Sequence, residues 1–155
     1  MQITLETDYA VRCVLHLARQ PKRKATSAQI AAATHVPRVF LAKILQKLAR
    51  AGIVLSQRGV QGGFQLTRDP AGISLLDAVA AVQGPVSLNR CTAPAGRCSL
   101  SSTCVVHPVW AALSTRLARD LAKQSFRKLL LQEKRRGIMR KGGRTCPSTP
   151  TTRKQ

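Results

Sequence analysis

Apolar positions recur at helical spacing from the start of the chain. Tyr9, Ala10, Val11, Val14, Leu15, Leu17 and Ala18 form one stripe, and this three-to-four residue period predicts an amphipathic helix over 7–20. Thr7 is the expected N-cap, because its hydroxyl can accept from an orphan backbone N–H, and Pro21 is the expected stop. A short second helix is predicted from Thr26 or Ser27 to Ala33, followed by a break at Thr34-His35-Val36. Pro37 then sits in the first turn of a third helix running to Ala51, a position where its missing N–H costs nothing. The stripe of that helix is Val39 or Phe40, then Leu41, Ile44, Leu45 and Leu48; Arg38, Lys43, Lys47 and Arg50 lie off it and Gly52 ends it. Two helices around a short break, the second with a free basic face, predict a helix-turn-helix.

The period then changes to that of short strands over 53–57 and 63–67, which flank the glycine-rich turn Arg58-Gly59-Val60-Gln61-Gly62-Gly63. A helix-turn-helix followed at once by a hairpin is the winged-helix order. In it the second helix of the pair enters the major groove and the wing reaches the neighbouring backbone or minor groove. No Gly-Lys-Ser/Thr follows these glycines, so a nucleotide-binding phosphate loop is excluded. A fourth helix is predicted over 73–82, with Ser74 as N-cap and Asp77 placed to reach back to it. From Pro108 onward Val109, Trp110, Leu113, Leu117, Leu121, Phe126 and Leu129 to Leu131 predict one long helix. So small a domain cannot bury that stripe, which points to a homodimer matching a palindromic operator. The expected fold is mainly α with a small β-hairpin: a winged helix-turn-helix domain over 1–84, a cysteine loop over 85–106, a dimerisation helix over 107–136 and a disordered basic tail over 137–155.

Charge sharpens the picture. Lys and Arg number 26 against 6 Asp and Glu, a formal net charge of +20, so the partner is a polyanion. At 44% hydrophobic residues the chain fills a core, and at 3% aromatic it lacks the stacking platforms of single-strand binders. Double-stranded DNA is the expected partner, with the tail adding salt-sensitive affinity for phosphates. The longest uncharged run, 98–115, is rich in Ser and Thr and includes His107 and Pro108, so it does not read as a membrane span. Glu6 and Asp8 stand where a signal peptide would be positive, and a cytoplasmic location is expected.

Five cysteines is an odd number, and Cys91, Cys98 and Cys104 share one stretch rich in Gly, Pro and Ser. With wide spacings between them, these thiols converge only if the loop wraps around something. Zinc sites usually contain a tight Cys-x2-4-Cys knuckle, which is missing, whereas an iron-sulfur cluster suits wider spacing. Zinc and reactive or disulfide-forming thiols remain as alternatives. Arg90 and Arg97 flank the loop and would offset the charge of a thiolate-bound cluster. Cys13 reads as packing and Cys146 as an incidental tail thiol; His16 and His35 have no ligand spacing. A thiol-disulfide enzyme would need Cys-x-x-Cys on a strand-helix alternation, and the chain has neither. A nucleoid-type basic protein would leave both the winged-helix order and the cysteine loop unexplained.

Three groups of residues together resemble the bacterial winged-helix regulators that include IscR, NsrR and RirA. They are the opening Ile3-Thr4-x-x-x-Asp8-Tyr9-Ala10-Val11-Arg12, the wing Arg58-Gly59-x-x-Gly62-Gly63-Phe64-x-Leu66, and the three loop cysteines followed by His107 and Trp110. The resemblance covers roughly residues 1 to 130. It implies a homodimeric transcription factor, read as a repressor, whose cluster state alters DNA binding, with Cys91, Cys98 and Cys104 as ligands. For the fourth ligand it offers two positions. His107, three residues after Cys104, resembles the arrangement that holds a two-iron cluster. Asp8 resembles the position from which the partner chain completes a four-iron, nitric-oxide-reactive cluster, and Asp8 with four irons is placed first. The signal is then nitric oxide, redox state or iron-sulfur status. The rival is a metal-free thiol regulator or a zinc-stabilised DNA-binding protein. Expected DNA contacts are Arg38, Phe40 and Lys43 in the groove, Lys47 on phosphate, and Arg58 with Gly59 and Gly62 in the wing.

Overall fold

The computed structural model describes residues 2–59, 62–94, 96 and 98–137. Arg97, Cys146 and the tail from 138 onward, all singled out in the sequence, lie outside the described residues.

Helix α1 (Leu5–Arg19) starts two residues before its predicted origin, because Thr4 rather than Thr7 caps it and accepts from the Thr7 N–H at 3.3 Å. Thr7 is fully buried inside the first turn, where its hydroxyl donates to Gln83 Oε1 at 3.0 Å. That long-range bond satisfies the hydroxyl that the sequence assigns to capping. Helix α1 runs across the middle of the fold and buries Ala10, Cys13, Val14 and Leu17.

A two-residue strand β1 (Lys24–Ala25) precedes α2 (Ser27–Thr34), which opens on a reciprocal capping box between Thr26 and Gln29. His35 takes a left-handed conformation at φ 55° to end α2, and the chain turns into α3 (Arg38–Arg50). Leu41, Ile44, Leu45 and Leu48 are buried as the periodicity predicts. The expected burial of Val39 or Phe40 does not occur: they are 72% and 49% exposed. The buried stripe begins at Leu41, and Phe40 lies at its edge, half-exposed against Tyr9.

Strands β2 (Val54–Gln57) and β3 (Gly63–Leu66) form the hairpin, and β1 joins it on the far side to give the antiparallel order β1-β3-β2. The third strand is absent from the sequence reading because two residues carry no readable period. It pairs Lys24 with Gln65 and Ala25 with Phe64. Helix α4 (Leu75–Gln83) begins on the predicted Ser74–Asp77 capping box.

The long helix expected over 107–136 is two helices, α5 (His107–Ala122) and α6 (Phe126–Arg135). The break is held by the body: Leu75 N–H donates to Gln124 O at 2.8 Å, Phe126 N–H donates to Ile73 O at 2.9 Å, and Ser125 caps α6. Phe126 is thereby fully buried in the main core, with α6 packed against α1 and the 3-10 turn Pro70–Gly72, so α6 belongs to the core of its own chain. On α5 and the turn before it, Val105, Val106, Val109, Trp110 and Leu113 stay exposed. Among the described residues no helix is long and apolar enough to cross a membrane.

Candidate DNA-binding face and cysteine loop

Arg38 and Lys43 are both exposed on α3. Arg38 stands at a cleft of about 340 Å³ bounded by Ser27 and Ala28 of α2, by Leu41 and Leu45 of α3, and by Phe64 of the wing. The start of the candidate recognition helix and the wing therefore share one side of the molecule. Arg58 is exposed at the base of the wing turn. Gly59 takes φ +107° and its carbonyl accepts from Gly62 N–H at 2.8 Å. A Cβ on Gly62 would lie 2.6 Å from Gln57 O and 2.7 Å from Gly59 O. These two glycines, named in the sequence as wing residues, shape the turn that carries Arg58. Below it, Lys24 Nζ donates to Gln57 Oε1 at 2.6 Å and Gln57 Nε2 to Gln65 Oε1 at 3.1 Å, tying the three strands together. This ladder escapes sequence reasoning, although Gln57 and Gln65 do stand at polar positions of the two wing strands.

Phe40 is half-exposed and tilts against Tyr9, with ring centroids 6.3 Å apart. Arg12 lies over the Tyr9 ring at 5.7 Å and pairs with Asp8 at 2.6 Å, so the Asp8 carboxylate is engaged within its own chain. Lys47, expected on phosphate, is directed into the fold: its ammonium donates to Glu6 Oε2 at 2.9 Å and to Val82 O at 3.3 Å.

The cysteine loop leaves α4 at Gly84 and is built from local turns. A single 3-10 turn at Arg90–Thr92 carries Cys91, with Asn89 as its cap. Gly96 folds back on that turn so closely that a Cβ would fall 1.7 Å from Arg90 O. The Cys98 carbonyl accepts from Ser101 N–H at 3.2 Å, and the Cys104 carbonyl accepts from His107 N–H at 3.2 Å where α5 begins. Thr92 and Ser87 bond through their hydroxyls at 2.8 Å, and Ser114 of α5 accepts from Leu88 N–H at 3.1 Å, fastening the loop to α5. Cys91 and Cys104 are half-buried, Cys98 is exposed, and all three are free thiols. Cys91 and His107 line the same cleft of about 610 Å³ with Leu76, Pro85 and Ser114. His107 Nδ1 is buried there with no hydrogen-bond partner among the described residues.

The donor types suit an iron-sulfur cluster, and a buried imidazole nitrogen with no hydrogen-bond partner among the described residues lines the same cleft as Cys91. Among the described residues, however, no three His, Cys, Asp or Glu side chains are gathered as one metal site. Cys13, by contrast, packs in the core, where burial pushes its thiol up to about 12, against a smaller lowering by its bond to Thr34. It stays a protonated filler.

A helix-turn-helix whose second helix presents free cations beside a glycine-shaped wing defines a winged-helix DNA-binding protein. Residues 3–132 match the Rrf2 family, described as iron-dependent transcriptional regulators, and the chain belongs to that family. It is a family of DNA-binding transcriptional regulators, not of enzymes. The HTH-type transcriptional regulator IscR of Vibrio cholerae is 30% identical over 132 residues, spanning 84% of this chain and 76% of the relative. The solved structure of T. potens IscR superposes with a TM-score of 0.67 at 21% identity, covering 85% of this chain and 88% of that one. CymR, the global cysteine regulator of B. subtilis, gives 0.66 at 20% identity, with coverage of 83% and 95%. The two structures share the fold. The resemblance drawn from the opening, wing and loop motifs thus holds at the level of the family.

Proposed function

We propose that the chain represses transcription as a homodimer on a palindromic operator, with α3 of each copy in a major groove and each wing at the adjoining backbone or minor groove. The observation that carries this reading is the shared side of the molecule on which Arg38, Lys43 and the Arg58 wing are exposed. Arg38 and Lys43 supply donors for base edges, Phe40 an apolar contact for a thymine methyl, and Arg58 a cation for a narrow minor groove. The exposed stripe Val105, Val106, Val109, Trp110 and Leu113 supports pairing through α5, because such a face is stable when a second copy covers it. An Arg58→Ala variant that kept wild-type affinity and sequence preference in a binding titration would remove the wing from this reading.

The loop is proposed as the sensor, with Cys91, Cys98 and Cys104 as thiolate ligands of an iron-sulfur cluster. His107 is the favoured fourth donor, since its Nδ1 is buried without a partner among the described residues in the cleft that Cys91 also lines, whereas Asp8 is already paired with Arg12. This reverses the order read from the sequence, and a His107 ligand goes with two irons rather than four. A bound cluster would supply an iron centre that responds to redox state, nitric oxide or cluster supply. Around it, Arg90 would offset thiolate charge, Leu76 and Pro85 would limit water, and the Cys104–His107 turn would hold the backbone that carries the imidazole. Anaerobic purification with an absorption spectrum and iron and sulfide counts tests the assignment. About two irons per chain, lost in His107→Ala and Cys98→Ser and kept in Asp8→Ala, is the expected result. About four irons with dependence on Asp8 restores the partner-chain ligand. A colourless protein that still binds DNA overturns the cluster in favour of zinc or metal-free thiol sensing.

A further inference from the structure

Lys47 lies one helical turn beyond Lys43 on α3, yet its ammonium leaves the DNA side and bridges two other elements. It donates to Glu6 Oε2 in the first turn of α1 at 2.9 Å and to Val82 O in the last turn of α4 at 3.3 Å. The last carbonyls of a helix have no partner within it and carry its negative dipole end, so a cation there caps α4. The next residue completes the junction. Gln83 Oε1 accepts from Thr4 N–H at 3.2 Å and from the Thr7 hydroxyl at 3.0 Å, while its Nε2 donates to Gln2 O at 2.8 Å. One residue later Gly84, at φ +85°, releases the chain toward the cysteine loop. The root of that loop is therefore fastened to the start of α1 by Gln83 and to α3 by Lys47.

We infer that Lys47 and Gln83 are positioning residues for DNA recognition: with Glu6 they clamp α3 to the root of the cysteine loop, and neither touches DNA. The inference rests on α3 being the recognition helix. Any displacement of the loop root is felt by α3 through a charged bond rather than through apolar packing alone. A phosphate contact by Lys47 would require breaking two bonds inside the fold, and its charge is already opposed by Glu6. The two roles make opposite predictions. A phosphate contact adds about 0.9 to the slope of log affinity against log salt and acts on every sequence alike. A clamp acts on the specific complex and leaves that slope alone.

The test is a fluorescence anisotropy titration of the full chain across a series of salt concentrations. The probes are a duplex selected by the wild-type protein from a random pool and a scrambled duplex of equal length. Lys47→Met is expected to weaken binding to the selected duplex about tenfold, within the usual range of coupling between sites, without changing the scrambled duplex or the salt slope. Glu6→Gln and Gln83→Ala are expected to weaken the selected duplex about threefold, and Glu6→Gln adds nothing to Lys47→Met in the double variant. Equal weakening of both duplexes by Lys47→Met with a slope lower by about 0.9 overturns the clamp. So does tighter binding by Glu6→Gln, the result expected if a phosphate-seeking lysine were set free. If Lys47→Met fails to fold in a thermal melt, Glu6→Gln and Gln83→Ala decide. Lys43→Ala tests the underlying reading separately: unchanged binding to both duplexes would take α3 out of the groove altogether.

Discussion

Between Thr4 and Gln83, Leu17, Ile30, Ile44 and Leu48 are fully removed from water, and α1, α2 and α4 each start on a side-chain cap. Between Gly84 and Val106 none of the described residues is buried, the regular structure among them is one 3-10 turn, and the three cysteines are free thiols. The body is stabilised by apolar area that one chain can bury by itself, helped by α6 returning to insert Phe126. The loop has too little apolar content for that, and among the described residues polar turns and a tie to Ser114 help to hold it. Under the proposed reading its donors would be organised from outside, by a cluster or a second chain, and a segment held that loosely can respond to such a partner.

The largest effect that tests this contrast is Phe126→Ala, expected to cost about 3–5 kcal/mol in denaturant unfolding, as for other fully buried aromatics. A cost below about 1 kcal/mol would detach α6 from the body. Next is Gly62→Ala in the wing, where the added Cβ meets two carbonyl oxygens under 3.0 Å away. It should cost about 1–3 kcal/mol by overcrowding and weaken DNA binding through a misplaced Arg58, read by melting and by titration. Ser74→Ala removes half of a capping box and should cost about 1 kcal/mol.

A smaller effect comes from His16, whose pKa is lowered from its ordinary 6.5, first by burial and then by Arg19. The unfolded chain takes up its proton first as pH falls, so this contribution is complete above pH 6.5 and is lost as pH drops through the lower folded value. Melting temperature should therefore decline as pH falls from 6.5 toward that lower value and level off below it, and His16→Gln should flatten the decline. Least of all, Cys98→Ser should leave the unfolding midpoint of the iron-free chain within about 0.5 kcal/mol of wild type. A large destabilisation there would mean that the loop is part of the body, and the contrast would fail.

Periodicity located α1, α3 and α4 to within a few residues, because each has a buried stripe and a stop or cap within its own stretch. It missed β1 and the break between α5 and α6 for one reason: both depend on partners far away in sequence. Lys24–Ala25 is a strand only because β3 lies beside it, and the chain bends at Ser125 because Ile73 and Leu75 hold it there. At the candidate site, Arg38, Lys43 and Arg58 were legible as cations off an apolar stripe or beside glycines. Lys47 carries the same local signature and behaves differently, since Glu6 and Val82 are its neighbours only in space.

The sequence by itself determined the family, the winged-helix order, the Ser74–Asp77 capping box and the residue types available for DNA and for a cluster. Those features reside in contiguous residues or in motifs of fixed spacing, where sterics and local hydrogen bonding leave few alternatives. Only the tertiary structure decided which cations face outward, that Thr7 is buried on Gln83, that His107 Nδ1 is left without a partner among the described residues, and that Phe126 ends one helix by entering the core. Each of these depends on what packs against the side chain, and packing brings together residues whose separation along the chain leaves no pattern to read.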